Sequence, residues 1–158
     1  MRDGPVKLLV TDDSGRLARW LRLCGYDTML MDARPLSALY RRAYAERRIV
    51  VTRNRRVPAS SLVRVVHVQS TQLADQLQQL VRELGLAIDA DQALSRCDRC
   101  NVEVELIEKA LVKDRVPPYV FQTQRAFHCC PSCRRIYWMA THCRRITRTL
   151  DALKGTHA

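Results

Sequence analysis

The sequence predicts an α/β domain, a mostly parallel sheet flanked by helices, followed by a small module organised by cysteines. Short apolar runs alternate with amphipathic segments through residues 1–84, two C-x-x-C pairs lie beyond residue 94, and a length of 158 residues suits one domain with a small appendage. A hydrophobic fraction of 47% with 27% charged residues is that of a chain able to bury a core, which excludes disordered and low-complexity classes.

Lys7 to Thr11 is a strand-length apolar run, and Asp12-Asp13-Ser14-Gly15 supplies turn and cap chemistry directly after it. Leu17, Trp20, Leu21 and Cys24 recur at helical spacing with Arg16, Arg19 and Arg22 on other faces, so a helix ended by Gly25 and holding Trp20 and Cys24 in its core stripe is expected. Thr28 to Met31 predicts a second strand. Pro35 opens a second helix reaching about Arg47, with Leu36, Leu39, Tyr40 and Ala43 inward, and the β-branched Ile49 to Thr52 predicts a third strand. After a basic loop containing Pro58, Leu62 to Val68 reads as a fourth strand, and Thr71 to Leu84 as a helix with Leu73, Leu77, Leu80, Val81 and Leu84 inward. The resulting βαβαββα order places a site beyond the carboxyl ends of the strands, at Asp12-Asp13, Asp32 and Arg53-Asn54. Residues 85–95 read as a connection, and composition then shifts to Cys, Arg and aromatic residues in short β-like pieces. The expected domains are therefore residues 1–94 and 95–158.

Net charge is +11, and the excess is shared: +5 in residues 1–94 (15 basic, 10 acidic) and +6 in residues 95–158 (12 basic, 6 acidic). This balance points to a polyanion, nucleic acid before an anionic membrane, with an acidic protein partner ranking below both. No apolar run is long enough to cross a bilayer and the N-terminus lacks a secretory apolar region, so a cytoplasmic protein without membrane association is expected.

Five of the seven cysteines lie between Cys97 and Cys133. Cys97 with Cys100 and Cys130 with Cys133 form two knuckles whose four thiolates suit tetrahedral zinc, and four sulfur ligands leave no open position for catalysis, so the metal is expected to be structural. Asn101 to Val112 would form a hairpin arm between the knuckles. Cys129 is read as a bystander, Cys24 as a core residue and Cys143 as a free thiol.

Asp12 with Gly15-Arg16-Leu17-Ala18-Arg19-Trp20-Leu21-Arg22, then Gly25-Tyr26-Asp27 and Val51-Thr52-Arg53, resembles the opening of the Mut-seven C-terminal ribonuclease domain family. Ser95-Arg96-Cys97, Cys100-Asn101, Val116-Pro117, Tyr119-Val120, Cys130-Pro131 with Cys133, Tyr137-Trp138 and Thr141-His142 resemble that family's zinc-ribbon half. The resemblance implies a PIN-like α/β nuclease fold carrying a C-terminal ribbon, with Mg²⁺ or Mn²⁺ on clustered carboxylates activating water against RNA phosphate. The chain departs from the family at the acids. Counted back without a gap from Leu17-Ala18, the first-strand aspartate falls on Thr11, and a one-residue deletion restores it as Asp12. No carboxylate lies between Pro35 and Tyr40, near Leu36 where a second acid belongs, and Asn54 replaces the acid of Thr-Arg-Asp. The candidate catalytic residues are Asp12, Asp13 and Asp32; as plain turn residues, Asp13 would cap a helix and Asp32 close a strand-end turn.

Seven arginines and one acid, Glu46, lie between Arg41 and Arg56. The candidate RNA-binding residues are Arg16, Arg19, Arg48, Arg53, Arg55 and Arg56, whose guanidinium forks suit phosphate, and Arg134, Arg135, Arg144 and Arg145, which with Arg148 surround Tyr137, Trp138 and His142 in the ribbon. The sequence is therefore expected to encode an RNA-binding protein of ribonuclease-like fold with a degenerate catalytic centre, structural zinc, and structured or ribosomal RNA among its candidate targets. The alternatives are an active Mg²⁺ or Mn²⁺ ribonuclease working through Asp12 and its neighbours, and a ribbon that binds protein.

Overall fold

The computed structural model describes residues 4–88 and 93–139 together with Arg144 and Arg148. The chain forms two compact units, one of Met1–Leu21 and Tyr26–Leu86, the other of Arg22–Gly25 and Ala87–Ala158. Among the described residues, no helix is long and apolar enough to cross a membrane.

The first unit is built on a parallel four-stranded sheet of order β2-β1-β3-β4, with β1 Lys7–Thr11, β2 Asp27–Met31, β3 Ile49–Thr52 and β4 Val65–His67. Helices α1 Gly15–Leu23, α2 Leu36–Ala45 and α3 Leu73–Leu84 alternate with the strands as the apolar periodicity predicts. β4 is only three residues long, shorter than the expected Leu62–Val68: its ladder bonds to β3 run from the Arg64 carbonyl to the Val68 N–H, and the Leu62 and Val63 N–H groups bond the Ser60 hydroxyl instead. Leu9, Leu39, Ala43, Val50 and Val57 form a buried cluster on which Leu36 and Tyr40 pack. Leu8, Val10 and Val51, which alternate with Leu9 and Val50 along the strands, are buried too, so both faces of the sheet are covered, as parallel sheets require.

Three apolar side chains differ from expectation, and two glutamines take core positions. Trp20 is half-buried rather than core, while Leu17, Leu21 and Cys24 of the same stripe are buried. In α3, Val81 and Leu84 are half-buried, and Gln76 and Gln79 take buried positions. The burial of Gln79 is compensated by hydrogen bonds: its Oε1 accepts the Gln69 N–H at 3.0 Å, and its Nε2 donates to the His67 carbonyl at 2.9 Å and to Glu83 Oε1 at 2.8 Å.

The amino ends of three adjacent strands are gathered by Arg48. Its guanidinium forks onto Asp27 at 2.8 and 3.2 Å, donates to the Leu8 carbonyl at 3.1 Å, and meets Glu46 through Nε at 2.6 Å. Burial would push this guanidinium to a lower pKa, but its bonds to Asp27 and Glu46 outweigh that and raise it, so the charge is fixed in the folded state.

In the second unit, β5 Glu105–Ile107, β6 Phe127–Cys129 and β7 Ile136–Tyr137 form an antiparallel sheet of order β5-β6-β7. The expected hairpin arm within Asn101–Val112 does not form. β5 pairs with β6 instead, and Lys109–Val112 is a 3-10 turn that buries Val112 beside Val116 and Phe127. A short helix, α4 Pro118–Thr123, lies where β-like sequence was expected, opened by Pro118 in its first turn.

Candidate nucleic-acid interface and metal centre

Because β2 and β3 lie on opposite sides of β1, the crevice at the carboxyl ends of β1 and β3 is the switch point at which open α/β sheets place ligands. The last residue of each strand is a threonine, and Thr11 Oγ1 and Thr52 Oγ1 lie 2.7 Å apart. The Thr11 hydroxyl donates to Asp13 Oδ1 at 2.5 Å, and the Asn54 N–H donates to Thr52 Oγ1 at 3.0 Å. Thr11 and Thr52 thus present neutral hydroxyls at two adjacent strand ends.

Each sequence-predicted acid accepts hydrogen bonds from backbone N–H or hydroxyl groups. Asp13 accepts the Thr11 and Ser14 hydroxyls on Oδ1 and the Arg53 N–H on Oδ2 at 3.2 Å. Asp13 lies inside the 3-10 turn Asp12–Ser14, and its carboxylate reaches to the N–H of the loop after β3. Asp12 Oδ1 accepts the Ala33 N–H at 3.3 Å, and Asp32 closes a two-residue Asx turn onto the Arg34 N–H at 2.9 Å. Asn54 makes the same turn, its Oδ1 accepting the Arg56 N–H at 2.9 Å. Among the described residues, the group of three or more His, Cys, Asp or Glu side chains able to hold one ion is the cysteine set, and Asp12, Asp13 and Asp32 form no such group.

Arg16, Arg19, Arg53, Arg55 and Arg56 are exposed, and among the described residues no acid pairs with them. Arg48 is different: at 8% exposure, with its fork closed on Asp27, it presents nothing to a polyanion. Sequence alone could not separate it from its neighbours, because the partners of its fork come from β1 and β2. Arg134, Arg135 and Arg144 are exposed, and Arg135 pairs with Asp98 at 3.3 Å. Arg145, His142 and Cys143 lie outside the described residues.

The four cysteines Cys97, Cys100, Cys130 and Cys133 have their sulfurs within 4.8 Å of one another, and Cys97 and Cys133 are 3.7 Å apart. Four Zn–S bonds in tetrahedral array set sulfur separations of about 3.8 Å, so the donors fit the ion. The two knuckles repeat one backbone design. In each, the first cysteine carbonyl accepts the N–H four residues on (Asn101, 3.0 Å; Arg134, 2.9 Å), and its sulfur accepts the N–H of the second cysteine (3.3 and 3.4 Å). Asn101 and Arg134 both take the left-handed conformation that closes the turn, at φ 61° and 64°. Arg22, counted in this unit, donates to the Asp98 and Arg99 carbonyls of the first knuckle at 2.7 and 3.2 Å. The ring of Tyr137, an aromatic expected to pack, also brings its hydroxyl, whose one proton the two acceptors share, to 2.9 Å from Cys97 Sγ and 2.6 Å from Asp98 Oδ1.

Burial pushes the Cys97 thiol up, but bonds from the Tyr137 hydroxyl and nearby N–H groups outweigh it and lower it to about 7. The adjacent Cys133 thiol, then burial, push Cys100 up to about 11, and burial raises Cys130. At neutral pH, Cys100 and Cys130 therefore carry protons that zinc must displace, and every ligand binds as a thiolate, so zinc affinity falls steeply as pH falls. Chelator competition between pH 6 and 8, corrected for the chelator's own protonation, checks this; a pH-independent affinity would contradict it.

A parallel α/β unit with its polar residues at the switch point, followed by a unit whose four-cysteine cluster fits a zinc ribbon, defines the class of protein. The chain belongs to the Mut7-C RNAse domain family, whose family model matches residues 6–150. Comparison with curated proteins and with solved structures gives no match.

Proposed function

We propose that this chain is an RNA-binding protein of ribonuclease-like fold whose catalytic centre is degenerate and whose ribbon, residues 95–158, is held by structural zinc on Cys97, Cys100, Cys130 and Cys133. The observation that carries the reading is that Asp12, Asp13 and Asp32, each hydrogen-bonded to backbone or hydroxyl groups, form no ion-holding group, while Arg53, Arg55 and Arg56 of the loop after β3 are exposed with no acid partner among the described residues. A metal-dependent nuclease needs carboxylates that converge on hard cations, and here a threonine pair and an Asx-turn asparagine stand at two of the relevant strand ends. Family membership supports RNA as the polyanion.

The test is a time course of zinc-loaded protein with labelled single-stranded and structured RNA, in Mg²⁺, in Mn²⁺ and with neither. The expected outcome is tight binding that weakens steeply with salt and leaves the RNA intact. Metal-dependent cleavage that is lost in Asp12→Asn would replace this reading with that of a working ribonuclease. Binding to neither RNA would favour a ribbon that docks on protein.

A further inference from the structure

We infer that Asp13, Tyr40 and His67 are positioning residues that hold the loop Arg53–Pro58 in one conformation, so that Arg53, Arg55 and Arg56 meet RNA phosphates from a pre-ordered backbone. The inference rests on the RNA-binding reading above and assigns work to side chains which that reading leaves unused.

Between Arg53 and Pro58, every residue except Arg55 has a backbone group bonded. The Arg53 N–H is held by Asp13 at 3.2 Å, the Asn54 N–H by Thr52 at 3.0 Å, and the Arg56 N–H by the Asn54 side chain at 2.9 Å. The Val57 N–H returns to the Asn54 carbonyl at 3.1 Å, which makes Asn54–Val57 a β-turn with Arg55 and Arg56 at its two central positions. Beyond the turn, His67 Nε2 donates to the Val57 carbonyl at 2.8 Å, and the Tyr40 hydroxyl donates to the Pro58 carbonyl at 2.5 Å. The Val57 side chain is buried in the cluster containing Leu39 and Val50. Elements on three sides, the β1 end, α2 and β4, therefore fix one short loop.

The guanidinium groups that the loop carries are exposed and engage no acid, so their donors remain available to a ligand. Ordering a free loop on binding costs roughly 1–2 kcal/mol of backbone entropy per residue, and a loop already ordered avoids that cost. The ligand chemistry is a run of phosphodiesters, since three forks set close together match several anionic oxygens rather than one carboxylate. In this account Asp13 acts as a strap for a cationic loop.

The experiment measures the affinity of the full, zinc-loaded chain for a labelled single-stranded RNA across a salt series. Arg53→Ala, Arg55→Ala and Arg56→Ala combined should lower the slope of log affinity against log salt by about 2, at about 0.7 per lost phosphate contact. Tyr40→Phe, which removes one oxygen, and His67→Phe should each lower affinity about fivefold, the effect of one net hydrogen bond, with the slope unchanged. Amide exchange should quicken at Arg56 and Val57 in these two variants and stay slow in β1 and β3, which separates loss of loop order from unfolding. Wild-type protein without salt-sensitive RNA binding would end the RNA reading itself. Loss of slope in the triple variant with unchanged affinity in both Tyr40→Phe and His67→Phe would overturn the positioning inference alone. A reduced slope in the positioning variants would overturn it too, by making those side chains direct contacts.

Discussion

Stripping zinc from the full chain is expected to collapse the second unit while β1 to β4 stay folded. The small core there is organised around the ligands themselves: Cys97 and Cys130 are fully buried with Tyr137, and Val102 and Val104 pack against them. Its strands are three, three and two residues long, too short to supply much ladder or apolar burial. Structural zinc contributes about 10–16 kcal/mol in comparable modules, which is as large as the whole stability of a typical domain. Hydrogen exchange read by region, after chelation verified by metal analysis, should show protection lost over residues 95–139 and retained in the parallel sheet, with recovery on zinc but not on magnesium. Unchanged protection in a metal-free sample would show that the knuckles fold on their own hydrogen bonds.

The second large effect is expected from Arg48→Ala. Removing the guanidinium takes its fork from Asp27, whose side chain is 22% exposed, and its donor from the Leu8 carbonyl at the amino ends of the strands, and losing hydrogen bonds to a charged group costs about 1.5–3 kcal/mol. Arg48→Lys keeps the charge but not the fork, so it should fall between the two. The effect has a pH signature. The hydrogen bond from Arg48 holds Glu46 below its ordinary 4.5, so stability from this pair is present above that value and is lost as pH falls through the lower folded-state value. The gap between wild type and Arg48→Ala in denaturant midpoints should therefore narrow in acid. A variant with unchanged midpoint but weakened RNA affinity would return Arg48 to the binding surface.

Much of the first unit was legible because its elements are set by short-range pattern. β1 and β3 begin and end where their apolar runs do, and α1 and α2 follow their helical stripes to within two residues. The cysteine cluster was legible for the same reason, since each knuckle is a four-residue turn written in the sequence. What escaped depends on partners distant in sequence. Arg48 reads like any arginine in a basic run until Asp27 and Leu8 arrive from β2 and β1. Thr11 and Thr52 are unremarkable β-branched residues until adjacent parallel strands bring their hydroxyls together, although their shared place as last residues of their strands was an available signal. α4 hid behind its prolines: Pro117-Pro118 suggests extended chain, yet proline at a first helical turn is favourable because its missing N–H has no partner to lose.

The glutamines of α3 bear on how this protein behaves at high concentration. β4 is an outer strand of the sheet, and such a strand is a template on which a second polypeptide can lay down another. Here the outer carbonyl of His67 is occupied by two amide side chains, Gln79 from α3 and Gln69 from the strand's own exit. Each amide presents the donor that a peptide group would, so the sheet terminates against an imitation of its own backbone. Self-association through this side is thereby opposed by a few side-chain amides rather than by the charge or proline that more often guard a border strand.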